Sequence, residues 1–157
     1  MSQMDQNQSS VKLKRTDITV AIVVSEYNRE IADTLKNSCV NTLRQAGMKK
    51  DHVEVVYVPG AFELPYQCQQ LAQMKKCDVI IALGAIIKGE TPHFDIIAQA
   101  CVNGIMNVSL KHDIPIVFGV LTTLNIKQAR DRIENGKHGN KGLEAAQTAI
   151  QLLNNNR

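Results

Sequence analysis

Tryptophan is absent from this chain of 157 residues, and Phe and Tyr, three of each, make up the whole of a meagre 4% aromatic content. A surface that stacks single-stranded bases needs a platform of rings, so that class of partner is excluded. Charge of one sign is also scarce. Eighteen basic residues face 15 acidic ones, and the net of +3 is too mild for a nucleic-acid or membrane surface. No apolar run approaches the ~20 residues that a membrane-spanning helix needs. G-x-G-x-x-G does not follow the first apolar run, and G-x-x-x-x-G-K-[ST] occurs nowhere, which removes the dinucleotide and P-loop readings. Ser25-Glu26 stands where a phosphoacceptor site would want clustered acids. Cys39, Cys68, Cys77 and Cys101 match neither C-x-x-C nor a zinc spacing. They read as reduced thiols, in the core or near the surface, of a cytoplasmic protein. His52, His93, His112 and His138 are too scattered for a metal site.

What is present is a strong alternation of apolar runs and helical patterns. Apolar residues make up 44% of the chain, enough for one domain with a sizeable core. The first 17 residues are polar and hold no apolar signal-peptide core, so a flexible N-terminal arm is expected over 1–17 and a single domain over 18–157. Strands are expected at Ile18–Ser25, Val53–Val58, Val79–Ile87 and Ile114–Leu121. Helices are expected at Asn28–Ala46, Ala61–Met74, Phe94–Leu110 (interrupted by Gly104), Asn125–Glu134 and Leu143–Leu153. The asparagine run at the C-terminal end reads as frayed. Four apolar strands alternating with helices imply an α/β fold, a three-layer αβα sandwich around a four-stranded parallel sheet. Ligands bind such sheets at the carboxyl ends of the strands.

The stretch Gly84-Ala85-Ile86-Ile87-Lys88-Gly89-Glu90-Thr91-Pro92-His93 lies at such an end. Thr91 is expected as a helix N-cap, with Pro92 at the first helical position. His93 then sits in the first turn, beside free backbone N–H groups and the positive end of the helix dipole. It is either a structural histidine or a group that accepts a proton and returns it. Tyr27, Phe62 and Phe118 are either packing residues or flat faces for a heterocycle. Glu63 complements a helix dipole or accepts from ligand hydroxyls. Arg130 and Arg132 form a solvated basic face or a bidentate phosphate anchor, and periodicity does not choose between them.

Five blocks, in order, then carry a resemblance: Ser25-Glu26-Tyr27-Asn28; Val58-Pro59-Gly60-Ala61-Phe62-Glu63-Leu64-Pro65; Ala82 through Asp95; Pro115 through Thr123; and Gly139-Asn140-Lys141-Gly142. Over about Ile18 to Leu153 the chain resembles the 6,7-dimethyl-8-ribityllumazine synthases of riboflavin biosynthesis, flavodoxin-like in fold. The resemblance implies condensation of 5-amino-6-(D-ribitylamino)uracil with 3,4-dihydroxy-2-butanone 4-phosphate, without cofactor or metal. It implies that Tyr27 stacks on the pyrimidine, where the family usually has Phe. It gives Ala61, Phe62, Glu63, Ala85, Ile86 and Ile87 to the pyrimidine and ribityl chain. Glu90 and Thr91 fall on the phosphate side of the butanone. Arg132 becomes the phosphate clamp with Lys141 as helper, Phe118 a contribution from a neighbouring subunit, and His93 the proton donor and acceptor. The chemistry suits these residues. The amine is already nucleophilic, so the protein needs to orient two reactants and move protons.

The resemblance also implies a homo-oligomer, a pentamer that in some members builds a sixty-subunit shell, with riboflavin synthase as a candidate partner. The segment between Arg132 and Asn140 is one residue longer than the pattern common to shell-forming members, which favours an isolated pentamer. The polar arm would then pair with a neighbour's sheet edge. Two other readings stand beside the enzyme: a non-catalytic flavin- or lumazine-binding homologue on the same scaffold, and a flavodoxin-like signalling module suggested by fold alone.

Overall fold

A computed structural model describes residues 11–156. Its sheet has four parallel strands in the order β2-β1-β3-β4: β1 (Val20–Ser25), β2 (Val53–Val58), β3 (Val79–Ile87) and β4 (Ile116–Thr123). Five helices connect and cover them: α1 (Arg29–Gln45), α2 (Leu64–Met74), α3 (His93–His112), α4 (Ile126–Arg130) and α5 (Lys141–Asn155).

The two-residue period of the strands sorts the core into two halves. Val20, Ile22, Val24, Ile81 and Leu83 pack against Ile31 and Leu35 of α1 and Ala146 and Ile150 of α5. The intervening Ala21, Val23, Ile80 and Ala82 pack against Leu64 and Cys68 of α2 and Cys101 and Ile105 of α3. β1 and β3 are buried on both faces, as near-continuous Val/Ile/Leu/Ala runs dictate. The expected three-layer sandwich is therefore the observed architecture.

Several boundaries differ from those expected. The second helix does not begin at Ala61: a 3-10 turn occupies Ala61–Glu63, and α2 starts at Leu64 with Pro65 in its first turn. Gly104 does not interrupt α3. A Cβ at 104 would stand 2.8 Å from the Pro65 ring, so glycine here lets α3 approach α2. The fourth helix ends at Arg130 rather than Glu134, because the chain turns back on itself at once. The His138 N–H donates to the Asp131 carbonyl at 2.6 Å, and the Lys141 N–H to the Arg132 carbonyl at 2.9 Å. Arg132 thus lies beyond the helix, in that turn.

Of the expected arm, residues 1–10 lie outside the described residues. Val11 and Leu13 rest against the α1/α5 side of the core, and the Leu13 N–H donates to the Ala46 carbonyl at 3.0 Å. The asparagine run is helical through Asn155 rather than frayed. The Asn154 amide donates to the Lys12 carbonyl at 2.9 Å, and its oxygen accepts the Lys14 N–H at 3.0 Å. Among the described residues no helix is long and apolar enough to cross a membrane.

Candidate active site

β1 pairs with β3 only as far as Val24 opposite Leu83, while β3 runs on beside β4 to Ile87 opposite Thr123. Beyond Leu83, β3 therefore has one flank without a strand. A cleft of about 600 Å³ opens there, at the carboxyl ends of β1, β2 and β3. That volume lies within the range of small-molecule pockets.

Three turns wall the cleft. The β1–α1 turn brings Tyr27, whose ring is three-quarters exposed, and Asn28. The turn is tied to the end of β2: the Glu26 N–H donates to the Val58 carbonyl at 2.8 Å and the Tyr27 N–H to the Pro59 carbonyl at 3.1 Å. The turn after β2 brings Gly60, Ala61, Phe62 and Glu63. Glu63 is folded back on it, Oε2 accepting the Gly60 N–H at 2.9 Å, so one carboxylate oxygen is already committed. The third wall is the end of β3 and the start of α3, with Ala85, Ile86, Ile87, Gly89, Thr91 and His93.

The α3 start departs slightly from expectation. The helix begins at His93, with Pro92 at the cap position rather than Thr91. Thr91 still contributes, its hydroxyl accepting the His93 N–H at 3.4 Å. Threonine, proline and histidine in this order give a short turn that exposes the imidazole at the helix's first position. His93 is solvent-exposed and lines the cleft.

Nine of the thirteen expected site residues thus meet around one cleft. The other four do not line it within a single chain. Glu90 is exposed between Gly89 and Thr91, outside the lining. Phe118 is half-buried on β4 and lines a different hollow of about 240 Å³, together with Val102 and Met106 of α3 and Leu152 of α5. Arg132 is half-buried and donates from Nη1 to the Gln128 carbonyl at 2.9 Å. Its neighbour Arg130 pairs with Glu30 at 3.3 Å, whereas no carboxylate pairs with Arg132 among the described residues. Lys141, at the first turn of α5, is held by Glu144 at 2.7 Å, with both side chains nearly nine-tenths buried. That helix is capped by Asn140, whose Oδ1 accepts the Leu143 N–H at 3.2 Å.

The sequence reading missed cleft residues too. Phe94 and Ile97 lie three residues apart on the same helix as His93, a spacing that faces them the same way. Asn28, present in the first of the five blocks but given no role there, follows Tyr27 directly and lines the cleft with it.

The lining is chemically mixed. Two exposed rings, three backbone segments, one carboxylate and one imidazole can hold a flat polar heterocycle with a hydroxylated tail and move protons beside it. Comparison with known proteins agrees with that character. The sequence pattern of the 6,7-dimethyl-8-ribityllumazine synthases matches residues 17–157. A protein of that name from Parabacteroides distasonis is 42% identical over 139 residues, covering 88% of this chain and 86% of the relative. Another of the same name from Porphyromonas gingivalis is 42% identical over 136 residues, covering 87% and 84%. With the match spanning the whole sheet and all three walls of the cleft, the chain belongs to the 6,7-dimethyl-8-ribityllumazine synthase family.

Proposed function

We propose that this protein condenses 5-amino-6-(D-ribitylamino)uracil with 3,4-dihydroxy-2-butanone 4-phosphate, giving 6,7-dimethyl-8-ribityllumazine, phosphate and water. The observation that carries the reading is the convergence of Tyr27, Phe62, Glu63, the Ala85–Ile87 backbone and His93 on one cleft, in a chain of this family. Tyr27 stacks on the pyrimidine, with Ala61 and Phe62 beside it. Strand residues Ala85, Ile86 and Ile87 meet its polar edge. Glu63 has Oε1 left to accept a ribityl hydroxyl. The butanone lies towards Glu90 and Thr91, where the positive end of the α3 dipole favours its phosphate. His93 accepts and returns protons as the imine forms, phosphate leaves and the ring closes. Orientation of an already nucleophilic amine supplies much of the acceleration.

Phe118, Arg132 and Lys141 enter this scheme from an adjacent copy. Supporting this is an apolar stripe on α3, where Val102, Met106 and Leu110 are exposed at steps of four next to the Phe118 hollow. Exposed apolar faces of that kind favour a partner. A homopentamer is the proposed assembly. Arg132, with no carboxylate partner of its own among the described residues, is the cation better suited to a phosphate than Arg130. The buried, unpaired thiols Cys39 and Cys68 fit a reducing, cytoplasmic setting.

Mixing the purified protein with both substrates tests the reaction. Lumazine fluorescence and phosphate should appear together, faster than in the protein-free mixture. Equal rates with and without protein would refute the proposal.

A further inference from the structure

Asn28 breaks a local rule at the edge of the cleft. Asparagine is favoured at helix N-caps because its side chain accepts from the first backbone N–H groups, and such caps normally have an extended backbone. Asn28 occupies the cap position of α1, yet its side chain makes no capping bond and its backbone is left-handed, at φ 58° and ψ 50°. Its carbonyl still receives the Ile31 N–H at 3.0 Å and the Ala32 N–H at 3.1 Å. The amide points the other way, Nδ2 donating to the Ala85 carbonyl at 3.0 Å. The acceptor is a carbonyl, so the atom facing it must be the donor.

That bond replaces a missing strand contact. β1 has stopped pairing with β3 at Leu83. Along β3 the backbone groups of successive residues face opposite neighbours. The Lys88 N–H donates to Thr123 of β4, so Ala85 and Ile87 present theirs to the flank that β1 has left, which is the cleft. Asn28 therefore fixes the direction of the Ala85 carbonyl, and with it the Ala85 peptide edge that faces the ligand. The residue before it is Tyr27, whose own N–H is tied to Pro59. One side chain thus links the stacking ring to the polar strand edge.

We infer that Asn28 is a positioning residue for the pyrimidine half of the reaction, locking the Ala85 peptide and the Tyr27 turn into a fixed mutual geometry. The inference rests on the proposed condensation and extends it to a residue that need not touch either substrate.

Two variants separate positioning from folding. Asn28→Gly keeps the left-handed backbone at no steric cost and removes only the amide. Asn28→Asp keeps shape and backbone preference, but its carboxylate faces the Ala85 carbonyl with no proton to donate. Steady-state kinetics of both should show the KM for the ribitylamino-pyrimidine raised about three- to tenfold, as expected for one lost hydrogen bond, with the KM for the phosphoketone unchanged. For Asn28→Asp the excess over the unaltered protein at equal pH should shrink as pH falls, because the protonated acid donates again. An active unaltered protein whose two variants keep the pyrimidine KM within twofold would overturn the positioning role alone. So would a rise in both KM values together without the pH dependence. An inactive unaltered protein would overturn the condensation and this inference together.

Discussion

Replacing Gly84 by alanine probes the floor of the cleft. Gly84 follows the last β1–β3 pair, and its missing side chain faces Ser25, the last residue of β1. A Cβ there would fall well inside contact distance of Ser25 Oγ and 3.2 Å from Ser25 Cβ. Ser25 is only 1% exposed, so its hydroxyl cannot swing into water. That hydroxyl is also a buried polar atom without a hydrogen-bond partner among the described residues. Overpacking of this kind costs ~1–3 kcal/mol. For a chain of this size 2 kcal/mol corresponds to a Tm loss of about 4–8 °C. Ser25→Ala removes the offending oxygen and an unsatisfied group, so by itself it should be neutral or slightly stabilising. The double variant keeps only the tighter Cβ contact and should recover most of the loss, giving a coupling of about 1–2 kcal/mol. Thermal melts of all four proteins, at one protein concentration because assembly couples to stability, provide the cycle. Equal losses for Gly84→Ala with and without Ser25→Ala would refute the steric account.

The remaining outcomes follow from described contacts. His93→Ala should slow turnover by about tenfold, short of the ~100-fold or more common for general acid–base groups because the amine is itself nucleophilic; an unchanged kcat would make His93 structural. Arg132→Ala should raise the KM of the phosphoketone about tenfold or more and spare that of the pyrimidine, which a two-substrate kinetic grid would show. Gly142→Ala should cost about 3 kcal/mol in a denaturant melt, since its Cβ would strike the Leu35 backbone of α1, whereas Gly89→Ala, with open space around it, should change stability by less than about 0.5 kcal/mol. Burial pushes the Cys39 and Cys68 thiols up to about 12 from their ordinary 9, so folding favours their protonated forms. Their contribution to stability should be intact below about pH 9 and fall as pH rises towards 12. In the native protein at pH 8 alkylation should reach the partly exposed Cys77 first, as mass spectrometry can read.

The legible parts of the chain were those whose physics is local. Val53–Val58 and Val79–Ile87 show as strands to the residue because β-branched and apolar runs there coincide with backbone pairing. β4 runs from Ile116 to Thr123, two residues later than the apolar run that predicts it. Ile114 is buried, but its carbonyl accepts from the Ser109 hydroxyl at 2.6 Å and it belongs to the helix exit. Thr122 and Thr123 are polar yet extended because β3 continues beside them. Apolar character reports burial, whereas pairing decides where a strand ends. His93 was legible from the residues that shape a helix start. Asn28 was not, because its partner Ala85 is 57 residues away and its amide does something other than cap. The residues alone leave Arg132 undivided from Arg130 and Phe118 between packing and ligand contact; resemblance gives them their roles, and nothing in one chain's folding brings them to the cleft.

The Asn154 amide that grips Lys12 and Lys14 has a practical consequence. It brings positions 12 and 154 within the reach of a short glycine-rich bridge. A circular permutant that joins these two positions and reopens at the exposed Lys75–Lys76 turn should therefore keep the fold. New termini at that turn would lie at the opposite end of the sheet from the ligand cleft, leaving its three walls on uncut segments of backbone.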